Sequence, residues 1–195
     1  MKVNVKKIEG PWNDGYSIDK HTSSSTYAGI DAYGHDKYDT IRTEAGEALY
    51  LLKYKSDQSK IKPIAQQLFD SLGNKFSSAG FIVPMTASNQ RPIQPVTEIA
   101  KELARLMNIP CIENFLLKVG STQQLKDLQS KEEKAEALIS SFSYNDAALN
   151  NGKWDVLLID DLYDTGASIE AACNAIRKSN KISKVFVATV TRKRQ

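Results

Sequence analysis

A chain of 195 residues with a formal net charge of +3, 41% hydrophobic and 25% charged residues, has the make-up of an ordinary soluble globular protein. It is long enough for one full hydrophobic core. The slight positive excess favours anionic ligands without amounting to a nucleic-acid footprint, no apolar run reaches membrane-span length, and MKVNVKKIEG at the start lacks the apolar centre of a signal peptide.

Residues 1–40 are rich in Gly, Ser, Thr, Tyr and Asp and show no helical period. Val3, Val5 and Ile8 alternate loosely, turn signals follow at Gly10-Pro11 and Asp14-Gly15, and the stretch reads as short antiparallel strands forming a small β appendage outside the main sheet. His21 and His35 have no cysteine or second histidine at ligand spacing, so they read as loop or turn residues. Tyr27, Tyr33 and Tyr38 read as cover for a sheet edge, with a base-binding pocket as the other use for them. Cys111 and Cys173 lie far apart, outside any Cys-x-x-Cys spacing; they read as free buried thiols, which suits a reducing cytoplasm.

From residue 41 the pattern changes to helices and strands. Thr43 and Glu47 resemble a capping arrangement, and Ala45, Ala48, Leu49 and Leu52 recur at helical spacing before Leu52-Lys53-Tyr54-Lys55 closes the helix. Ile61, Ile64, Ala65, Leu68, Phe69 and Leu72 mark a second helix, stopped by Gly73. Phe81-Ile82-Val83 is a core strand ended by Pro84, with Met85, Thr86, Ala87 and Ser88 as the loop beyond it. Pro95 fits the first turn of a third helix whose buried stripe is Val96, Ile99, Leu103, Leu106 and Met107. Cys111 to Val119 reads as a second core strand, centred on Phe115-Leu116-Leu117, with the cation of Lys118 at its carboxyl end. Gly120 to Asn150 is polar and weakly periodic, the pattern of a lid or an insertion, and its KEEK run reads as a solvated face.

The most informative stretch is Trp154 to Ser168, WDVLLIDDLYDTGAS. Val156-Leu157-Leu158-Ile159 is the apolar run of a strand buried on both faces of a parallel sheet. It ends in Asp160 and Asp161, which would emerge at the carboxyl end of the strand, where open α/β sheets bind ligands. Asp164, Thr165, Gly166, Ala167 and Ser168 then lead into a helix whose core face is Ile169, Ala172, Cys173 and Ile176. A small-residue loop entering a helix aims N–H groups at one point and suits a phosphate, whereas paired carboxylates suit sugar hydroxyls or Mg²⁺. Lys184 to Val190 is the last strand, and the closing TRKRQ reads as a solvated tail able to lend one cation to a site. Strands alternating with helices from residue 81 onward predict an α/β fold, a mostly parallel sheet with helices on both faces.

VLLIDDLYDTGAS resembles the PRPP (phosphoribosyl pyrophosphate) motif of type I phosphoribosyltransferases: an apolar strand, two acids, two variable residues, then Thr-Gly-small-Ser. Leu52-Lys53-Tyr54 is similar to a tripeptide of the ComF-type, competence-associated branch. Where that branch has Arg-Gly-Phe-Asn-Gln, this chain has Arg91-Pro92-Ile93-Gln94-Pro95, keeping Arg91 alone; Thr122, Leu128, Lys134 and Phe142 follow its later pattern roughly. The resemblance implies a Rossmann-like core over residues 41–195, with a hood at about 120–150. It implies ribose and Mg²⁺ contacts at Asp160 and Asp161, and a 5′-phosphate loop from Asp164 through Thr165, Gly166 and Ala167 to Ser168. Pyrophosphate would be bound at Met85, Thr86, Ala87, Ser88 and Lys118, and Asp164 would be the general base, as in the hypoxanthine-guanine branch. For Met85–Ser88 a plain strand-to-helix connection accounts for the residues equally well.

The implied activity is Mg²⁺-dependent transfer of phosphoribose from PRPP to a nucleobase or amine, with a non-catalytic PRPP sensor as the alternative. A homodimer is left open, and neither nucleic acid nor membrane is expected as a partner. Asp-Thr-Gly-Ala-Ser also resembles an aspartic-protease turn, but that all-β fold needs two copies and this chain has one, running into a helix. A strand-end turn with no ligand explains one acid but not three followed by Thr-Gly-Ala-Ser. If Gly120–Asn150 is a lid, its amides should exchange faster than those of Val156–Ile159 in the free protein and slow on PRPP binding. Equal protection without ligand is the contrary result.

Overall fold

Alternation along three apolar strands builds the core on both sides of one sheet. The computed structural model describes residues 1–31, 33–87, 92–119 and 140–193. In β5 (Phe81–Pro84), β8 (Trp154–Tyr163) and β9 (Ile182–Arg192), successive side chains point to opposite faces. Ile82, Leu157, Ile159, Phe186, Ala188 and Val190 pack on one side with α1 (Glu44–Tyr54), α2 (Ile61–Leu72) and α3 (Pro95–Met107). Phe81, Val83, Val156, Leu158, Val185 and Val187 pack on the other with α4 (Ala167–Ile176). Helices therefore cover both faces, and the expected mostly parallel α/β sheet is what the structure shows.

The sheet has five strands in the order β1-β2-β9-β8-β5. β2 (Asp14–Lys20), β9, β8 and β5 run parallel, and β1 (Lys6–Lys7) is an antiparallel edge. All four parallel strands thus end on one rim. The reading of residues 1–40 as an appendage outside the main sheet is corrected here, because β2 pairs with β9 from Asp14↔Phe186 to Lys20↔Arg192. Its sequence hides this: Ile18 is the one fully buried aliphatic of the strand, and the opposite face carries Ser17, whose hydroxyl bonds to the Asp19 carbonyl at 3.1 Å. Within this segment β3 (Thr22–Ile30) and β4 (Asp36–Arg42) form a separate hairpin, leaving the rim after β2 and returning into α1.

Thr43 starts α1 by accepting the Gly46 N–H on its hydroxyl at 3.0 Å. Glu47 does not close a reciprocal box; its carboxylate pairs with Arg42 at 3.3 Å. Pro95 opens α3 and left-handed Asn108 closes it. The second core strand expected over Cys111–Val119 is also corrected. Cys111 makes a single parallel bridge to Ile82, a turn follows, and β6 (Leu116–Lys118) pairs with β7 (Phe142–Tyr144) in a separate antiparallel ribbon beneath α4. Phe115 is buried as expected, but its neighbours serve the ribbon.

Because Leu158 is fully buried between β5, β9 and α4, Leu158→Ala should cost ~2–5 kcal/mol in urea unfolding. Leu117→Ala, on the exposed side of β6, should stay within about 0.5 kcal/mol.

Candidate functional site

Strand alternation separates the two adjacent acids. Asp161 continues the Leu157–Ile159 side, over which α1 packs, and its Oδ2 receives Lys53 Nζ at 2.6 Å. Asp160 continues the Val156–Leu158 side, in register with Thr189 of β9, and its Oδ1 accepts the Asp161 N–H at 2.8 Å. Burial pushes the Asp160 carboxyl up to about 8, helped by the charge of Asp161 and opposed by the Asp161 N–H and Lys53.

Beyond Tyr163 the chain turns into α4. Gly166 takes φ 84°, a left-handed conformation, and a side chain there would strike the Tyr163 ring. Thr165, Ala167 and Ser168 are exposed, and the first turn of α4 leaves N–H groups without helical acceptors. Ala167 N–H reaches Thr165 Oγ1 at 3.4 Å. This geometry is a phosphate cradle in outline. Asp164 Oδ2 accepts from Lys193 Nζ at 2.7 Å, so the closing basic segment does lend a cation to the rim.

On the β5 side, Met85 is buried and donates its N–H to the Ile159 carbonyl at 2.8 Å. Thr86 Oγ1 is buried with no hydrogen-bond partner among the described residues, a donor left for something else. Ala87 is exposed, while Ser88 and Arg91 lie outside the described residues, as do Thr122, Leu128 and Lys134 of the expected hood. Lys118 does not stand at the end of a main-sheet strand; it pairs with Phe142 in the β6–β7 ribbon, so the premise for its pyrophosphate role does not hold.

Three side chains at the rim had no role in the sequence reading. Lys53 was visible only as the middle of Leu52-Lys53-Tyr54, Lys193 only as one residue of a basic tail, and His21 as a turn histidine. His21 follows β2, with Nδ1 at 3.2 Å from Thr191 Oγ1. Burial, then Arg42 and Lys53, hold its imidazole below the ordinary value, opposed by Asp161 and joined by Lys193. These neighbours sit on β4, α1, β8 and just past β9, elements that meet only in three dimensions.

Among the described residues no cluster of three or more His, Cys, Asp or Glu side chains could cage a metal. Mg²⁺ fits here only as an ion that arrives with oxygens of its own and takes one or two from Asp160 and Asp161. The buried carboxyl of Asp160 suits that role, since a cation would relieve what burial and Asp161 impose.

No known family profile matches the chain. In sequence it is similar to the competence protein ComFC of Bacillus subtilis (strain 168), 24% identical over 147 residues. That match covers 75% of this chain and 59% of the relative, so it spans less than two thirds of the other protein's length. The expected likeness to ComF-type proteins is thus present well beyond the Asp160–Ser168 motif. Among solved structures, adenine phosphoribosyltransferase of Trypanosoma brucei superposes with a TM-score of 0.49 at 13% identity, over 95% of this chain and 74% of that one. Orotate phosphoribosyltransferase of Aeropyrum pernix gives 0.43 at 11% identity, over 81% and 70%.

The raised Asp160 makes a prediction about stability. A carboxyl whose folded-state pKa lies above its ordinary 3.8 holds its proton more tightly in the folded chain, so the stability it contributes is present at low pH and is lost as pH rises toward about 8. Asp160→Asn imitates the protonated acid. Its thermal midpoint should therefore gain on that of the parent protein across this window, most at about pH 8.5. A difference that does not change with pH is the contrary outcome.

Proposed function

We propose that this protein binds PRPP at the carboxyl rim and transfers its phosphoribosyl group to a nitrogen nucleophile, releasing pyrophosphate. The observation that carries the reading is the pair Asp160–Asp161, at the end of a strand buried on both faces, directly ahead of a left-handed glycine and a helix N-terminus. The likeness to ComFC supports it from outside the motif.

In this reading Asp160 and Asp161 hold the ribose hydroxyls, with Lys53 keeping the Asp161 carboxylate in place. The loop Asp164–Ser168 receives the 5′-phosphate on backbone N–H groups and on the hydroxyls of Thr165 and Ser168. Thr86 and the backbone of Met85–Ala87 face the pyrophosphate end, where the Thr86 hydroxyl has no protein partner among the described residues. As C1 becomes electron-poor, carboxylates fixed near the ribose stabilise it more than they stabilise the ground state. Asp160 and Asp161 would hold Mg²⁺, which would supply charge neutralisation for the departing pyrophosphate. Asp164 stands on the acceptor side, its Oδ2 held by Lys193.

The acceptor is a nucleobase or an amine, and the setting is the cytoplasm. Cys111 and Cys173 are free thiols that burial pushes up to about 11 and about 12, unreactive groups that need no oxidising compartment.

Titration calorimetry should show PRPP binding that strengthens with Mg²⁺. Asp161→Asn should weaken it about tenfold or more, equivalent to ~1.4 kcal/mol, in a protein that still folds. No PRPP binding in the presence of Mg²⁺ overturns the reading. Binding without pyrophosphate release, across a panel of nucleobases, amines and ammonia, makes the protein a sensor instead.

A further inference from the structure

His21 is held more firmly than a turn histidine requires. Its N–H donates to the Arg192 carbonyl at 2.8 Å and its own carbonyl accepts from Thr43 N–H at 3.3 Å. The first turn of α1 lies so close that a side chain on Gly46 would collide with the His21 carbonyl. The backbone is thus fixed between β9 and α1, at the rim where Asp161 and Lys193 emerge.

The hydrogen bonds also bear on which ring nitrogen carries the proton. Thr191 is fully buried, and its hydroxyl donates its one proton to the Asp161 carbonyl at 3.1 Å. Toward His21 Nδ1, at 3.2 Å, that oxygen can then only accept. With the Thr191 proton on that carbonyl, Nδ1 is the protonated nitrogen and the lone pair of the neutral ring lies on Nε2. Nε2 has no hydrogen-bond partner among the described residues. The surrounding charges are Arg42 from β4, Lys53 from α1, Asp161 from β8 and Lys193 past the end of β9; burial and the three cations favour the neutral ring against Asp161. An imidazole fixed at one nitrogen by a hydroxyl that is itself fixed has the build of an oriented base.

We propose that His21 is the proton acceptor of this site, its Nε2 taking the proton that the nitrogen nucleophile gives up. The proposal rests on the transferase reading. The nucleophile's nitrogen forms a bond to C1 of the ribose, the C1–oxygen bond breaks, and its electron pair leaves with pyrophosphate. The proton lost by that nitrogen goes to Nε2 and passes to water as product departs. Asp164, the base implied by the family resemblance, has its Oδ2 engaged by Lys193 and acts by holding that lysine at the acceptor side.

His21→Asn separates the proton acceptor from a structural histidine, because its amide can still donate to Thr191 while the position of Nε2 is deleted. Calorimetry should find PRPP bound within about threefold of the parent protein, which also shows that the variant is folded. Turnover should fall ~10²–10⁴-fold with little change in KM, and the acidic limb of the pH–kcat profile should disappear. His21→Gln, if His21→Asn does not fold, must show the same loss. Independently of activity, nitrogen NMR of the unliganded protein should find His21 protonated on Nδ1.

An active parent protein with His21→Asn within tenfold of it, a larger loss in Asp164→Asn than in His21→Asn, or a proton on Nε2 overturns the His21 assignment and leaves the transferase reading standing. A parent protein that binds PRPP and transfers to no acceptor overturns both.

Discussion

The ion pair between Lys53 and Asp161 joins the first helix to the end of the central strand, and the rim is organised around it. Both side chains are largely buried. In such surroundings a carboxylate that loses its cation costs several kcal/mol, whereas the intact pair is close to neutral for stability. What the pair secures is position. It sets α1 against β8, and α1 in turn sets the backbone of His21 through Thr43 and Gly46. Among the described residues Asp160, on the opposite face, has no lysine of its own, and burial holds its carboxyl well above the usual carboxylate range. One strand end therefore presents one acid paired with Lys53 and one whose carboxyl is raised by burial, a difference made by the alternation of side chains across a sheet with unlike neighbours on its two faces.

Much of the architecture could be read from the sequence where the physics is local. Val156–Ile159 is apolar at every position because β8 is covered on both faces, and the helices of residues 44–72 and 95–107 announce themselves by spacing and by Thr43 and Pro95. The failures have equally local causes. β2 does not announce its place in the main sheet, because five of its seven residues are small or polar and find partners within the strand or on its neighbours. Cys111–Val119 reads as one strand because apolar residues flank Glu113-Asn114 on both sides, where a turn in fact separates the Cys111 bridge from β6.

The site divides in the same way. Asp160, Asp161 and the Thr165–Ser168 loop are contiguous in the chain and were legible as a motif. Lys53, Lys193, His21 and Thr191 are scattered over more than 170 positions and become neighbours only because β2, β8 and β9 end together while α1 crosses above them. A sequence pattern reports ligands that share a turn; it is silent about partners delivered by topology. Lys53 is the intermediate case, a residue marked by a short resemblance whose physical reason is the acid it meets.

The hairpin of β3 and β4 leaves the sheet immediately after His21 and comes back at Thr43. Those two residues bond to each other at 3.3 Å, and the Thr43 hydroxyl also bonds to the Lys20 carbonyl at 2.6 Å. The excursion therefore begins and ends at a single point that the sheet and α1 already hold. Its closure entropy grows only slowly with the number of residues between those ends. Length and decoration of this segment are consequently free to drift, or to be exchanged, without moving a rim residue. The fold contains a socket, wired beside its chemistry, into which selection can plug new specificity.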